Sequence, residues 1–233
     1  MKKQINIPKL LALAGTFICS VGVASAGYFG QFGYGLEISA NGTSTFYGLN
    51  AWPTAPLLPT GSTATLDNTS WGNGSEAAPV LNLGSFNPSA GNTLILKGGS
   101  ELLYADVGSG GYVSGGYINY RVFSGTGPAA VAGAPGFAPG QFMAVDVSLG
   151  GNDTRVAVQG LNIDLLAGLT PGIYTLGSYG FGYGNSDAVS GAATYANNGG
   201  ANYGAYFTVV PEPASATLLG LGCLAIILRR RQV

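Results

Sequence analysis

In "QFMAVDVSLGG", residues 141–151, Met143, Val145, Val147 and Leu149 fall on one face of an extended chain and Ala144, Asp146 and Ser148 on the other. A repeat of two is the side-chain period of a strand and gives a helix no coherent face. The same alternation runs through "GYINYRVFSG", where Tyr117, Asn119, Arg121 and Phe123 oppose Ile118, Tyr120 and Val122. "RVAVQGLNIDLLAG" adds Val156, Val158, Leu161 and Ile163. Forty glycines and thirteen tyrosines in 233 residues point the same way, since Gly weakens helix interiors and Tyr suits a half-buried pleated surface.

Turn chemistry separates the strands. "TLILKGGSELLYADV" reads as two strands joined by a tight hairpin at Gly98-Gly99. Pro171-Gly172 turns the chain into a strand from Ile173 to about Tyr179, and "YGAYFTVV" is a last strand. Nearer the N-terminus, short strands are expected around Leu36–Ile38 and Thr45–Leu49, followed by a proline-rich loop from Pro53 to Pro59. Residues 124–140 carry too much Gly and Pro for regular structure. Seven or more short strands without long helical patterns predict an all-β antiparallel β-sandwich, with a jelly roll as one form of it. A β-helix is the runner-up, but no fixed repeat supports it.

Charge and cysteine usage exclude several functions. Between Gly27 and Val210 three basic residues (Lys97, Arg121, Arg155) stand against nine acidic ones, a net charge of −6. A nucleic-acid binder needs a basic surface, so no nucleic-acid partner is expected. The chain has no histidine, and Cys19 and Cys223 both lie in apolar terminal runs. The body therefore has no disulfide, no Cys/His zinc site and no histidine-based catalytic triad or dyad. No cofactor is expected.

Both ends read as targeting segments. Residues 1–26 combine a basic start, an apolar stretch from about Leu10 to Ala24, and Ala24-Ser25-Ala26. That is a secretory signal cut by signal peptidase between Ala26 and Gly27, which places the mature chain outside the cytoplasm. Phe17 and Ile18 rule out a lipid-attachment site at Cys19. At the other end, Ala214 to Leu228 carries no charge. As a helix it would cover roughly 22 Å at about 1.5 Å per residue, a marginal inner-membrane span against a hydrocarbon core of about 30 Å. Arg229, Arg230 and Arg231 hold its end on the cytoplasmic side, and Pro211 and Pro213 keep the stretch before it extended around Glu212.

Pro211-Glu212-Pro213, then a short apolar run, then an arginine cluster, resembles the PEP-CTERM sorting signal of Gram-negative bacteria. The resemblance implies recognition of Pro211, Glu212 and Pro213 by exosortase, a membrane-embedded processing enzyme. It further implies transient membrane anchoring, removal of the tail, and delivery to the cell surface or extracellular matrix. It covers about the last tenth of the sequence. The resulting division is a signal peptide (1–26), a Gly/Pro/Asn-rich first part of the body (27–91), a main sandwich region (92–210) and the sorting signal (211–233).

The body offers little chemistry. Asp146 and Asp153 could form the carboxylate pair of a glycoside hydrolase, or else Asp146 pairs with Arg155 and Asp153 steadies a turn. "GGNDTR" and "YGNSDAVS", with Asp187, are the best places for calcium, although no EF-hand loop occurs. Asn41, Asn68, Asn73 and Asn152 fit N-x-[ST] and mark exposed loops. Trp52, Trp71 and a "YGFGY" loop with Tyr179, Phe181 and Tyr183 are candidates for an aromatic platform on which exopolysaccharide sugar rings stack. The expectation is an exported, non-enzymatic surface or matrix protein, with an exopolysaccharide-binding module as the alternative and a glycoside hydrolase behind both.

Overall fold

The computed structural model describes residues 29–50, 58–67, 71, 74–105, 111–150, 153–186 and 189–212. The signal peptide expected over residues 1–26 with its cut between Ala26 and Gly27, Trp52, Asn68, Asn73, Asn152, Asp187, Pro213, the apolar C-terminal run and Arg229–Arg231 lie outside the described residues. Among the described residues no helix is long and apolar enough to cross a membrane.

Strands dominate the body. They are β1 (Phe29–Ala40), β2 (Thr43–Asn50), β3 (Thr65–Asp67), β4 (Leu81–Phe86), β5 (Leu94–Ala105), β6 (Tyr112–Ser124), β7 (Gln141–Gly150), β8 (Asp153–Asp164), β9 (Gly172–Ser186), β10 (Val189–Ala196) and β11 (Tyr203–Val209). They pair in the order β3-β2-β1-β5-β8-β7-β6-β9-β11-β4, with β10 on β9. The result is one continuous mixed sheet, where alternation alone suggested separate antiparallel layers. Two pairings are parallel, β2 with β3 and β4 with β11. The stretches on either side of residue 91 share this sheet, since β1 pairs with β5.

Continuity comes from β7. Residues 141–143 pair with β6, and the strand then pairs with β8 from Ala144 onward through two register shifts. The alternation read from the sequence breaks where the strand changes partner: Met143, the last residue paired with β6, is fully buried, whereas Val145, paired with β8, is 50% exposed although only two residues away. The register shifts follow beyond Val145, and periodicity reveals neither a change of partner nor a bulge.

The halves joined by β7 share a core. Tyr34, Leu36, Leu96 and Leu103 from β1 and β5 cluster with Ile118, Leu176, Ala205 and Phe207 from β6, β9 and β11. The Tyr34 hydroxyl is hydrogen-bonded to Ser178 Oγ across that core.

The Gly98-Gly99 hairpin does not form; β5 runs straight through it. Both glycines serve close approach instead. A Cβ on Gly98 would lie 2.1 Å from the Val158 carbonyl oxygen, and one on Gly99 2.6 Å from that of Gly35. A two-residue hairpin instead joins β1 to β2 at Asn41-Gly42, where φ is +49° and +85°. Asn-Gly with two left-handed residues is the turn whose twist matches a two-residue hairpin. The 124–140 stretch contains one short helix, α1 (Pro128–Ala132), started by proline and closed by Gly133.

Candidate functional site

The "YGFGY" segment is the second half of β9 rather than a loop, and there alternation takes an unusual form. Tyr179, Phe181 and Tyr183 point outward while Gly180, Gly182 and Gly184 face the core. A Cβ on Gly182 would sit 2.4 Å from Leu103 Cδ2, and one on Gly180 2.7 Å from Tyr34 Cδ2. Glycine on the inner face lets β1 and β5 close up, so the bulk of this strand is all on the outside.

Cross-strand register lengthens the patch. Phe142 is paired with Tyr117, Tyr117 with Phe181, and Phe181 with Tyr195. Successive ring centroids are 5.6, 6.3 and 4.9 Å apart, so four rings form a row across β7, β6, β9 and β10. Tyr117, Phe181 and Tyr183 lie 5.9–6.3 Å from one another with planes within 28° of parallel. In a column the outer pair would be twice as far apart as neighbours; near-equal spacing makes these rings a tile. Phe142 and Tyr195 remain 47% and 56% exposed, and the others are half-buried. None of the six is charged.

Part of the rest of this face is covered. Segment 74–80 lies over it through Glu76, whose buried carboxylate accepts from Arg121 Nε at 2.9 Å and Nη2 at 2.6 Å, and from Asn202 Nδ2 at 3.1 Å. Arg121 also stacks 4.5 Å over the Phe137 ring, and Phe137 meets Tyr179 edge-on at 4.8 Å. Thr175 Oγ1 donates to the Gly125 carbonyl. The aromatic row is thus the part of the face that segment 74–80 and the 125–140 loop leave open.

Of the platform residues read from the sequence, the structure brings Tyr179, Phe181 and Tyr183 together. Trp71 is fully buried, packed on Tyr203 at 6.4 Å, and offers no exposed face. Sequence reading missed Tyr117, Phe142 and Tyr195. Tyr117 and Phe142 were visible on alternating strands, but the partner of each strand was not.

The acidic residues are placed as follows. Asp146 accepts from Arg155 Nε at 2.7 Å and from the Thr60 N–H at 3.0 Å. Partial burial pushes its pKa up, but the Thr60 and Arg155 hydrogen bonds outweigh that and hold it below the ordinary value. Asp153 opens β8, opposite Tyr104 and Gly150. Asn41 occupies the β1–β2 turn and is exposed. Among the described residues no three Asp, Glu, Cys or His side chains converge on a common point.

Glu101, like Glu76, is an acidic residue that the sequence reading did not single out. It is fully buried in β5, beside Tyr34 of β1, and neither carboxylate oxygen has a hydrogen-bond partner. Desolvation pushes its pKa well above the ordinary 4.5, because burial penalises the charged carboxylate. Its visible signal was the one acidic residue of β5, followed directly by Leu102 and Leu103.

At the C-terminal end, β11 lies between β9 and β4. The Val210 N–H donates to the Phe86 carbonyl at 2.9 Å, and Asn87 Nδ2 donates to the Pro211 carbonyl at 3.4 Å. Pro211 and Glu212 are exposed immediately beyond. The folded body and the sorting sequence therefore meet with no spacer.

The β-rich body thus runs without a linker into an exposed Pro-Glu. Residues 209–232 match the family model of the PEP-CTERM protein-sorting motif. That motif directs export and exosortase processing at a membrane. No curated protein and no solved structure matches the sequence.

Proposed function

We propose that this is a non-enzymatic protein of the cell surface or extracellular matrix, with a sandwich-like body released outside the cell once its C-terminal tail has been removed. The observation that carries the reading is the sorting motif at the end of a completed strand, where Pro211 and Glu212 are presented in the open. The body is acidic, lacks histidine, and commits Asp146 to Arg155 and Thr60 rather than to a reacting group. Cell fractionation tests it. Wild-type protein should appear outside the inner membrane without its tail. Replacing Arg229, Arg230 and Arg231 with glutamine should leave the tail attached, and delivery undisturbed by that change sinks the reading.

A second reading is favoured by the aromatic row: the body holds uncharged exopolysaccharide. Tiled ring faces stack on the C–H faces of sugar rings, and the hydroxyls of Tyr117, Tyr183 and Tyr195 supply polar contacts at their edges. Strands are about 4.8 Å apart, so a row across four strands spans several sugar residues. Retention of the body on neutral polysaccharide, lost in a Tyr117→Ala and Phe181→Ala double variant, supports it. Equal retention of both proteins removes it.

A further inference from the structure

The end of β11 bears on where the tail can be cut. From Tyr203 to Val209 the strand is paired with β9, and on its other edge it pairs with β4 through Val209 opposite Phe86. Val210 extends the ladder by one bond to Phe86. The next residue is proline, which has no N–H to continue it. Its carbonyl is taken by the side chain of Asn87, itself fixed by its N–H to Asn92 Oδ1 at 2.9 Å and by accepting from the Ala90 N–H at 3.3 Å. Among the described residues, these are the last backbone groups tied to the body.

A processing enzyme acts on a segment that can be drawn out as an unpaired strand, so sites of cutting follow the hydrogen bonding of the backbone. Every residue from Tyr203 to Val210 fails that requirement unless a strand with partners on both edges is pulled from the sheet. We infer that the fold sets the upstream limit of processing: the bond cut lies C-terminal to Pro211, and Pro211 is the strand stop that keeps Glu212 free of the sheet. In the cut, one peptide C–N bond breaks, the acyl carbon passes to the enzyme's nucleophile and then to water or an amine, and the departing nitrogen takes up a proton. The inference rests on exosortase processing of the motif and adds a second role for its first proline. A residue with an N–H and strong β propensity at 211 would lengthen the ladder into the motif.

The test uses the full-length protein in a host with an active exosortase, with the released body analysed by mass spectrometry. The expected C-terminus is Pro211 or a later residue. A terminus at Val210 or earlier overturns this inference alone, whereas wild-type protein that keeps its tail overturns the sorting reading and this inference with it. In a second arm, Pro211→Val should slow release by about fivefold or more, because a local opening must now precede the cut. Inserting Gly-Ser-Gly-Ser after Val210 in that variant should restore the wild-type rate. Failure of the insertion to restore release means that Pro211 is read only by the enzyme, and the strand-stop role is wrong. Near-UV circular dichroism matching wild type verifies that each variant is folded.

Discussion

Glu76 and Arg121 are joined at both ends, Nε to Oε1 at 2.9 Å and Nη2 to Oε2 at 2.6 Å, although 45 residues separate them in the sequence. Glu76 is almost fully buried and Arg121 nearly so. This fork, with the bridge between Ser75 and Tyr203, ties segment 74–80 to the outer face of β6 and β9. A buried pair adds little over a hydrophobic replacement, but breaking one partner strands the other charge.

Glu76→Gln should therefore destabilise the body by about 3–5 kcal/mol. Urea unfolding followed by tyrosine fluorescence measures this. An Arg121→Met, Glu76→Met double variant should recover much of the loss, and a double variant as unstable as the single one refutes the explanation.

Glu101 predicts an unusual pH dependence. Burial raises its pKa in the folded state above the ordinary 4.5. Below that value both states hold the proton and the stabilisation is complete. Above it the unfolded state releases its proton while the folded one retains it, so stability falls as pH rises toward the folded-state pKa, by up to about 1.4 kcal/mol per pH unit. Asp146, with a lowered pKa, acts oppositely: its contribution is present above the ordinary 3.8 and is lost as pH falls. Thermal unfolding from pH 4 to 8 should show stability declining toward pH 8. Glu101→Gln should flatten that decline, and an unchanged slope in this variant rules out Glu101 as its source.

The local alphabet of this fold was legible and its pairing was not. Alternation placed β6 and β8, and Pro171-Gly172 marked where β9 begins although the turn itself lies at 165–168, because these signals reside in neighbouring residues. Gly98-Gly99 misled, since a glycine pair suits a turn and a tight crossing equally well. Only the presence of Val158 and Gly35 on either side decides between them. The true hairpin at Asn41-Gly42 bore the stronger turn signal of the two. Likewise, Tyr179, Phe181 and Tyr183 were visible as a cluster, but the row through Phe142, Tyr117 and Tyr195 depends on register between four strands. Trp71 could not be assigned to core or surface from sequence, because an isolated tryptophan has no periodic context. The sorting motif was legible because it is contiguous.

Gly98 and Gly182 make a graded prediction. An added methyl at Gly98 meets the Val158 backbone oxygen at 2.1 Å, and backbone in the middle of a sheet cannot yield. At Gly182 the obstacle is the end of the Leu103 side chain at 2.4 Å, which can change rotamer. Gly182→Ala should cost about 1–3 kcal/mol, and Gly98→Ala more than that. Equal losses in chemical denaturation contradict the close-approach role of Gly98.

The aromatic row should separate stability from binding. Phe142 and Tyr195 terminate it and are about half exposed, so each truncation removes one or two ring contacts at the edge of the patch and little buried area. Tyr34 contributes nothing to the outer face, yet it is fully buried and hydrogen-bonded to Ser178. Tyr34→Phe should thus cost about 1 kcal/mol through the lost hydrogen bond to Ser178, whose hydroxyl still donates to the Asn119 carbonyl, while leaving polysaccharide retention intact. Phe142→Ala with Tyr195→Ala should do the reverse, lowering retention on a polysaccharide column at an unfolding midpoint near that of wild type. If retention follows stability across all three substitutions, the row packs the sheet and recognises nothing.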